Sequence, residues 1–428
     1  MVRGGRWAAG WATWAGGALL LAGCQPTLPS PSSAAKRPYD WESQLLHPRL
    51  DLVPTPGADS KGWTLFWEVD RSELLYLRAS TEAPFVARFH WTSGATRWEV
   101  LDTLKPDLPA QWRGVREVVL DSLERRTEGG GEAEWVGQVT DAQRGAVAAV
   151  RRPLPPANPG LTAFREGWPV DPNRCVVGDT LQIWAGPGTR VWVARHQEPA
   201  KLPAPPFSYS GNPERVTAPV AFEERTADEA GWLTCVLDSG TTLITRAQAY
   251  TPGNAERWSP PAPALLLHAR RKGYPRPAAV PDLIAATRYI TSRTEFERME
   301  ASDDPKAALD KFWMDCGRDE GRSRQLIEIY YARVEEANRY FGGRQEGWRT
   351  DRGMVHVVLG PPTRLRRTAD TEWWTYGEEG QASTLTFVFE RSPHPFDDNH
   401  WVLNRALPFR PLWDRSVTAW RNGRVQRD

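Results

Sequence analysis

At 428 residues the chain is long enough for two or three domains, and with 40% hydrophobic and 25% charged residues most of it is expected to fold. A formal charge of +1 with no basic block excludes the electrostatic footprint of a nucleic-acid-binding protein. Four cysteines, one of them assigned below, leave neither a disulfide-stapled scaffold nor a four-thiolate zinc site. Only seven of the 54 basic residues are Lys, while Trp (22) and Pro (37) are abundant. A GC-rich coding sequence accounts for that bias. So does a surface that stacks on sugars or grips polar partners through Arg and Trp.

Residues 1–23 carry Arg3 and Arg6 and then an uncharged Ala/Gly/Leu/Trp run. The run is short for a spanning helix, so it is expected to be a cleaved export signal. It ends in Leu21-Ala22-Gly23-Cys24, which resembles the lipobox of bacterial lipoproteins at all four positions. That resemblance implies cleavage before Cys24 and acylation, palmitate included, of its sulfur and new amino group. Several acyl chains on one residue anchor stably, since each buried CH₂ contributes roughly 0.8 kcal/mol. Residue 25 is Gln rather than the Asp associated with inner-membrane retention, so a cell outer membrane location facing the periplasm is expected. Residues 24–40 form a Pro/Ser-rich tether, held extended by Pro26, Pro29, Pro31 and Pro38.

From 41 to 152 apolar residues come in short alternating runs: 65–69, 74–77, 85–91, 115–120 and 135–139. These are β-branched or aromatic and bounded by turn residues, the pattern of a first β-sandwich-like domain. A second spans 160–272, with strands expected at 180–185, 190–195, 232–237, 241–250 and 264–270. Asp238-Ser239-Gly240 suits a hairpin turn, and the six prolines between Glu198 and Pro219 mark a long surface loop. Cys175 and Cys235 lie on or beside these strands. Either they form a disulfide or they are two separately buried thiols.

The last domain is expected at 281–428. Residues 283–290 look extended, and Thr294 to Glu297 has capping-box spacing before a short helix. Asp304-Pro305 supplies an N-cap and a first-turn proline. Ala308, Leu309, Phe312, Trp313 and Cys316 then share one helical face, which makes Cys316 an inert core thiol. A longer helix, about 322–341, carries a stripe of Leu326, Tyr330, Val334, Ala337 and Phe341. Gly347-Trp348-Arg349-Thr350-Asp351-Arg352-Gly353 follows as a loop, Met354 to Leu359 as a strand buried on both faces, and Gly360-Pro361-Pro362 as a sharp turn.

Over about 281–405 the chain resembles the GWxTD domain, a family of Bacteroidetes-type envelope lipoproteins named for Gly347, Trp348, Thr350 and Asp351. Tyr330 to Val334 with Ala337-Asn338, Glu372 to Tyr376 and Leu385 to Phe389 resemble its helix before the motif and its later strands. One departure is Asp315 to Asp319, where the family carries an Asp-Pro-rich loop. The resemblance implies an α+β module behind β-sandwich-like domains, often lipid-anchored, with no established activity and no cofactor.

Asp351, Arg352, His356 and Glu372 are the ionisable candidates. Asp351 is expected to cap the turn while Arg352 pairs locally, with Trp348 plugging the core and Gly347 and Gly353 supplying turn geometry. His356, alone on a strand, reads as structural. His394, Asp397, Asp398 and His400 fit no standard zinc spacing and read as a hairpin loop. No nucleophile elbow, phosphate loop, HExxH or CxxC occurs. Two functions are therefore carried forward. One is a membrane-tethered binding or scaffold protein whose partners are unidentified envelope proteins. The other is an envelope hydrolase or carbohydrate-active protein using Asp351 and Glu372 in one open cleft beside exposed Trp.

Overall fold

The computed structural model describes residues 46, 48–57, 62–75, 85–93, 96–104, 111–119, 134–153, 161–172, 174–198, 201–208, 219–247, 264–368, 370–377, 384–394, 396–397 and 399–425. The leader, Cys24, the tether and Asp398 lie outside them. Among the described residues no helix is long and apolar enough to cross a membrane.

β-rich structure precedes a helical C-terminal part. In the first region, β1 (Arg49–Pro54), β2 (Gly62–Asp70) and β5 (Gln111–Val119) form one sheet, ordered β1-β2-β5. A second, β4-β3-β6-β7, joins Thr96–Leu104, Phe85–Ser93, Glu134–Asp141 and Val147–Pro153. Alternation places Trp63, Leu65, Trp67 and Val69 of β2 in one core with Ala87, Phe89 and Trp91 of β3. The run at 74–77 departs from expectation: Arg71–Glu73 is a 3-10 turn, Leu74 and Leu75 follow without strand pairing, and 76–77 lie outside the described residues.

In the second region β8 (Thr162–Arg165), β9 (Trp168–Pro169), β11 (Thr180–Trp184) and β14 (Trp232–Val236) make a sheet ordered β14-β11-β8-β9. Opposite it runs β10-β16-β15-β12-β13, built from Cys175–Val176, Ala264–Arg270, Gly240–Arg246, Arg190–His196 and Ala221–Thr226. The expected strands are present, the one at 241–250 as far as Arg246 with 248–250 outside the described residues, but the hairpin at 238–240 is not. β14 and β15 belong to different sheets, so the chain crosses between layers there. Gly240 makes the crossing with φ +100°, and a Cβ would fall on the His196 carbonyl. Cys175 and Cys235 do not pair. Each is a free, buried thiol on a different sheet, and burial pushes Cys175 up to about 12.

The C-terminal part comprises α1 (Val280–Ala286), α2 (Arg293–Glu300), α3 (Pro305–Gly317), α4 (Glu320–Phe341), α5 (Asp351–Leu359) and α6 (Arg410–Arg421). They pack on one face of an antiparallel meander, β17 (Arg364–Arg367), β18 (Thr371–Tyr376), β19 (Leu385–Arg391) and β20 (Trp401–Leu403). Asp304 caps α3 and Asp319 caps α4, each accepting from the backbone N–H three residues on. Cys316 is buried in this core and pushed up to about 11.

Three expectations are corrected here. Residues 283–290 are helix and 3-10 turn rather than extended: Pro281 opens α1, which buries Ile284 and Ala286. The capping box is Ser292 with Glu295, two residues earlier than expected. Met354 to Leu359 is helix α5, not a strand. A run buried on every side carries no clear period, and β-branched Val355, Val357 and Val358 favoured the wrong choice.

Candidate functional site

The signature is a backbone crossing before it is a set of side chains. Gly347 starts a 3-10 turn, and a Cβ there would fall on the Ala337 carbonyl of α4. Gly353, in the first turn of α5, would place its Cβ on the Gly347 carbonyl. Neither has positive φ. They are glycines because three backbone segments meet without room for a methyl group, which corrects the turn-geometry expectation. Trp348 is buried beneath the crossing, as anticipated. Its indole N–H donates to Glu346 (2.7 Å), and its carbonyl accepts from the Tyr289 hydroxyl (2.8 Å).

Thr350, not Asp351, is the cap. Its hydroxyl accepts the Gly353 N–H at 3.0 Å and donates to the Gly347 carbonyl at 2.8 Å. Asp351 is then free to reach across to the sheet. Its carboxylate accepts the Leu403 N–H of β20 at 2.8 Å and pairs with both terminal nitrogens of Arg405, one at 3.1 Å.

Arg352 does not pair with its neighbour either. It lies between the rings of Phe341 (5.1 Å) and Trp401 (4.9 Å) and donates to Glu372 at 3.1 Å. A second nitrogen donates to the Asn399 carbonyl (3.2 Å) and its side chain. Desolvation brings the Arg352 guanidinium down to about 10, against the opposing pull of Glu372. Glu372, fully buried on β18, also accepts from Arg367 (2.7 Å) and from the indole of Trp374 (3.0 Å). Removing one partner of such a buried pair typically costs about 3–5 kcal/mol.

His356 is on α5 rather than a strand. It is buried against Phe341 and bonded through Nε2 to Glu336 of α4 at 2.8 Å. Gly360 ends α5 with φ +81°, and its carbonyl accepts the Tyr376 hydroxyl at 2.8 Å. Pro361 follows in the turn into β17.

The arrangement holds backbone and burial in place. Asp351 and Glu372 sit in separate ion-pair networks, not in one open cleft, and each carboxylate is engaged by two or more donors. Among the described residues no group of three His, Cys, Asp or Glu is disposed to hold a metal ion. The 394–400 loop instead delivers Phe396, fully buried, onto Ala194 and Leu243 of the second β region. Arg405, Arg367, Asn399 and Glu336 complete these networks and were not anticipated. Arg405, Asn399 and Glu336 lie 20 to 54 residues from their partners, and Arg367 meets Glu372 across the β17–β18 ladder, so no local pattern marks them.

Residues 260–422 match the family model of the GWxTD domain. No curated protein matches the chain.

Proposed function

Taking this chain as a GWxTD domain-containing protein, we propose that it is a lipid-anchored, non-catalytic docking protein of the bacterial cell envelope. Its two β regions act as sandwich-like modules and, with the GWxTD module, form a body that engages partner proteins. Cys24, at the end of the Leu-Ala-Gly-Cys motif, is the acylation site, and the Pro/Ser-rich tether after it spaces the body from the outer membrane. The observation that carries the non-catalytic reading is the closure of Asp351 and Glu372 within ion pairs to Arg405, Arg352 and Arg367. With three donors on each carboxylate and cationic guanidinium groups among them, neither is set up to take a proton from a substrate.

The test is metabolic labelling with a fatty-acid probe, followed by in-cell cross-linking and mass spectrometry. The native chain is expected to take up label and to capture a reproducible partner set at the membrane. Cys24→Ala is expected to lose the label and fractionate with soluble protein. An unlabelled native chain that is released on cell disruption overturns the anchoring. Turnover of an envelope polymer that Glu372→Gln abolishes in a folded protein overturns the non-catalytic role.

A further inference from the structure

The segment after β12 leaves its own sheet and crosses the C-terminal module. Gln197 offers its carbonyl to Arg344 (3.4 Å), and Glu198 pairs with Arg270 and with Arg349 (3.7 Å). Further on, Leu202 and Phe207 pack against the module's core. Between them Arg405 donates to the Ala204 carbonyl at 3.1 Å, and the Ala406 N–H donates to the Pro206 carbonyl at 3.1 Å. The guanidinium of Arg410 lies 5.5 Å from the Phe207 ring centre.

The chemistry of the two sides is complementary. Pro203, Pro205 and Pro206 have no N–H and a fixed φ, so this strap arrives pre-ordered and presents backbone acceptors. A turn at Pro206-Phe207, closed by the Ser208 N–H donating to the Pro205 carbonyl at 3.0 Å, sets the aromatic ring. The module answers with donors, a guanidinium and a backbone amide, and with an apolar seat at each end. Grooves that recognise proline-containing peptides combine the same elements: a low-entropy ligand, backbone carbonyls read by fixed donors, and apolar anchors. Asp351 holds Arg405 from behind, which makes the signature carboxylate a positioning residue for the groove.

We propose that the groove beside Arg405 is a binding site for Leu-Pro-x-Pro-Pro-aromatic peptides that run straight to the second proline and then turn. This chain fills it with its own Leu202–Phe207, and a partner protein's segment of the same pattern takes it when the strap lifts. Biologically the proposal rests on the docking role above, but the site itself is testable without membranes or cells. An intramolecular strap competes at an effective concentration on the order of millimolar, so the native chain is expected to mask the groove from weak ligands.

The experiment is fluorescence anisotropy with a labelled synthetic peptide of residues 201–208 and its scrambled counterpart, using the full chain. Leu202→Ser/Phe207→Ser weakens the strap without shortening it and is expected to bind the peptide at least tenfold more tightly than the native chain does. Adding Arg405→Ala to that variant is expected to lose at least tenfold, and the scrambled peptide is expected not to bind. Equal binding to native and strap variants, or binding indifferent to Arg405→Ala in a protein with an unchanged melting profile, overturns the proposal. Should the variants fail to fold, limited trypsin digestion of the native chain decides. Millimolar peptide must speed cleavage after Lys201, beside the strap, while the scrambled peptide does not, and an unchanged cleavage rate overturns it. Peptide binding in the absence of any cross-linked partner in cells would remove the docking role and leave the site standing.

Discussion

Gly353 owes its identity to the Gly347 carbonyl and not to its own backbone angles. The distinction matters for substitution, because a positive-φ glycine suffers strain whereas a contact glycine suffers collision. At Gly353 the obstruction is backbone, which has no rotamer with which to yield, so Gly353→Ala is expected to exceed the ~1–3 kcal/mol usual for overpacking. Gly321 is the contrast. It lies exposed in the first turn of α4, where an added Cβ meets only the Asp319 side chain at 3.4 Å. Gly321→Ala is therefore expected to stabilise by a few tenths to about 1 kcal/mol through the unfolded chain. Thermal melts of the two variants test this directly, and equal shifts would contradict it. The same residue-scale logic separates Thr350, which caps α5, from Asp351. The two are adjacent in sequence, yet one serves its own helix and the other a distant strand.

Among elements, α5 and the 394–400 loop depart furthest from their sequence patterns. α5 reads as a strand because Val355, Val357 and Val358 are β-branched and the run from Met354 to Leu359 is apolar but for His356. It is a helix because Thr350 caps it and its surroundings bury it on every side, so side-chain burial outweighs a propensity difference of tenths of a kcal/mol per residue. The loop reads as a polar hairpin connection, and it does connect β19 to β20. What local pattern does not reveal is that Phe396 leaves the module altogether. It packs with Ala194 and Leu243, with its ring centre 4.5 Å from that of His196. Phe396→Ala is expected to destabilise by about 3–5 kcal/mol. Proteolysis should then cut between the second β region and the module. A variant that melts and digests like the native chain would show that this plug does not join them.

Across the whole molecule, the same junction carries two histidines held neutral. His268 of β16 is brought down to about 4 by burial, with Arg344 and His394 adding repulsion. It shares a hydrogen bond with the Thr241 hydroxyl at 3.0 Å. His394 is also brought down to about 4, by desolvation first and then by Arg344 and His400. Its Nδ1 accepts the Phe396 N–H. An unfolded chain protonates both near 6.5, so between that value and about 4 the unfolded state binds more protons than the folded one. Stability is then complete above about 6.5 and declines as pH falls toward 4. The melting temperature is expected to drop across that window, and less steeply in His394→Gln. A flat profile there would show that neither histidine is held neutral by the fold.

The amino-acid sequence by itself determined the elements whose signals are local. The strands of the second β region follow from two-residue alternation between turn residues. α3 follows from Asp304 as a cap, α3 and α4 from apolar stripes at helical spacing, and the GWxTD resemblance from a contiguous motif, whereas the Asp319 cap of α4 appears only in the structure. Tertiary structure decided what local spacing cannot carry: helix over strand at 351–359, two unpaired thiols on opposite sheets, and the partners of Asp351, Arg352 and Glu372. It also decided that the proline segment lies on the C-terminal module. The physical reason is one of range. Caps and periodicity act over three or four residues, whereas a buried charge chooses its partner from whatever the packed chain brings within about 3 Å.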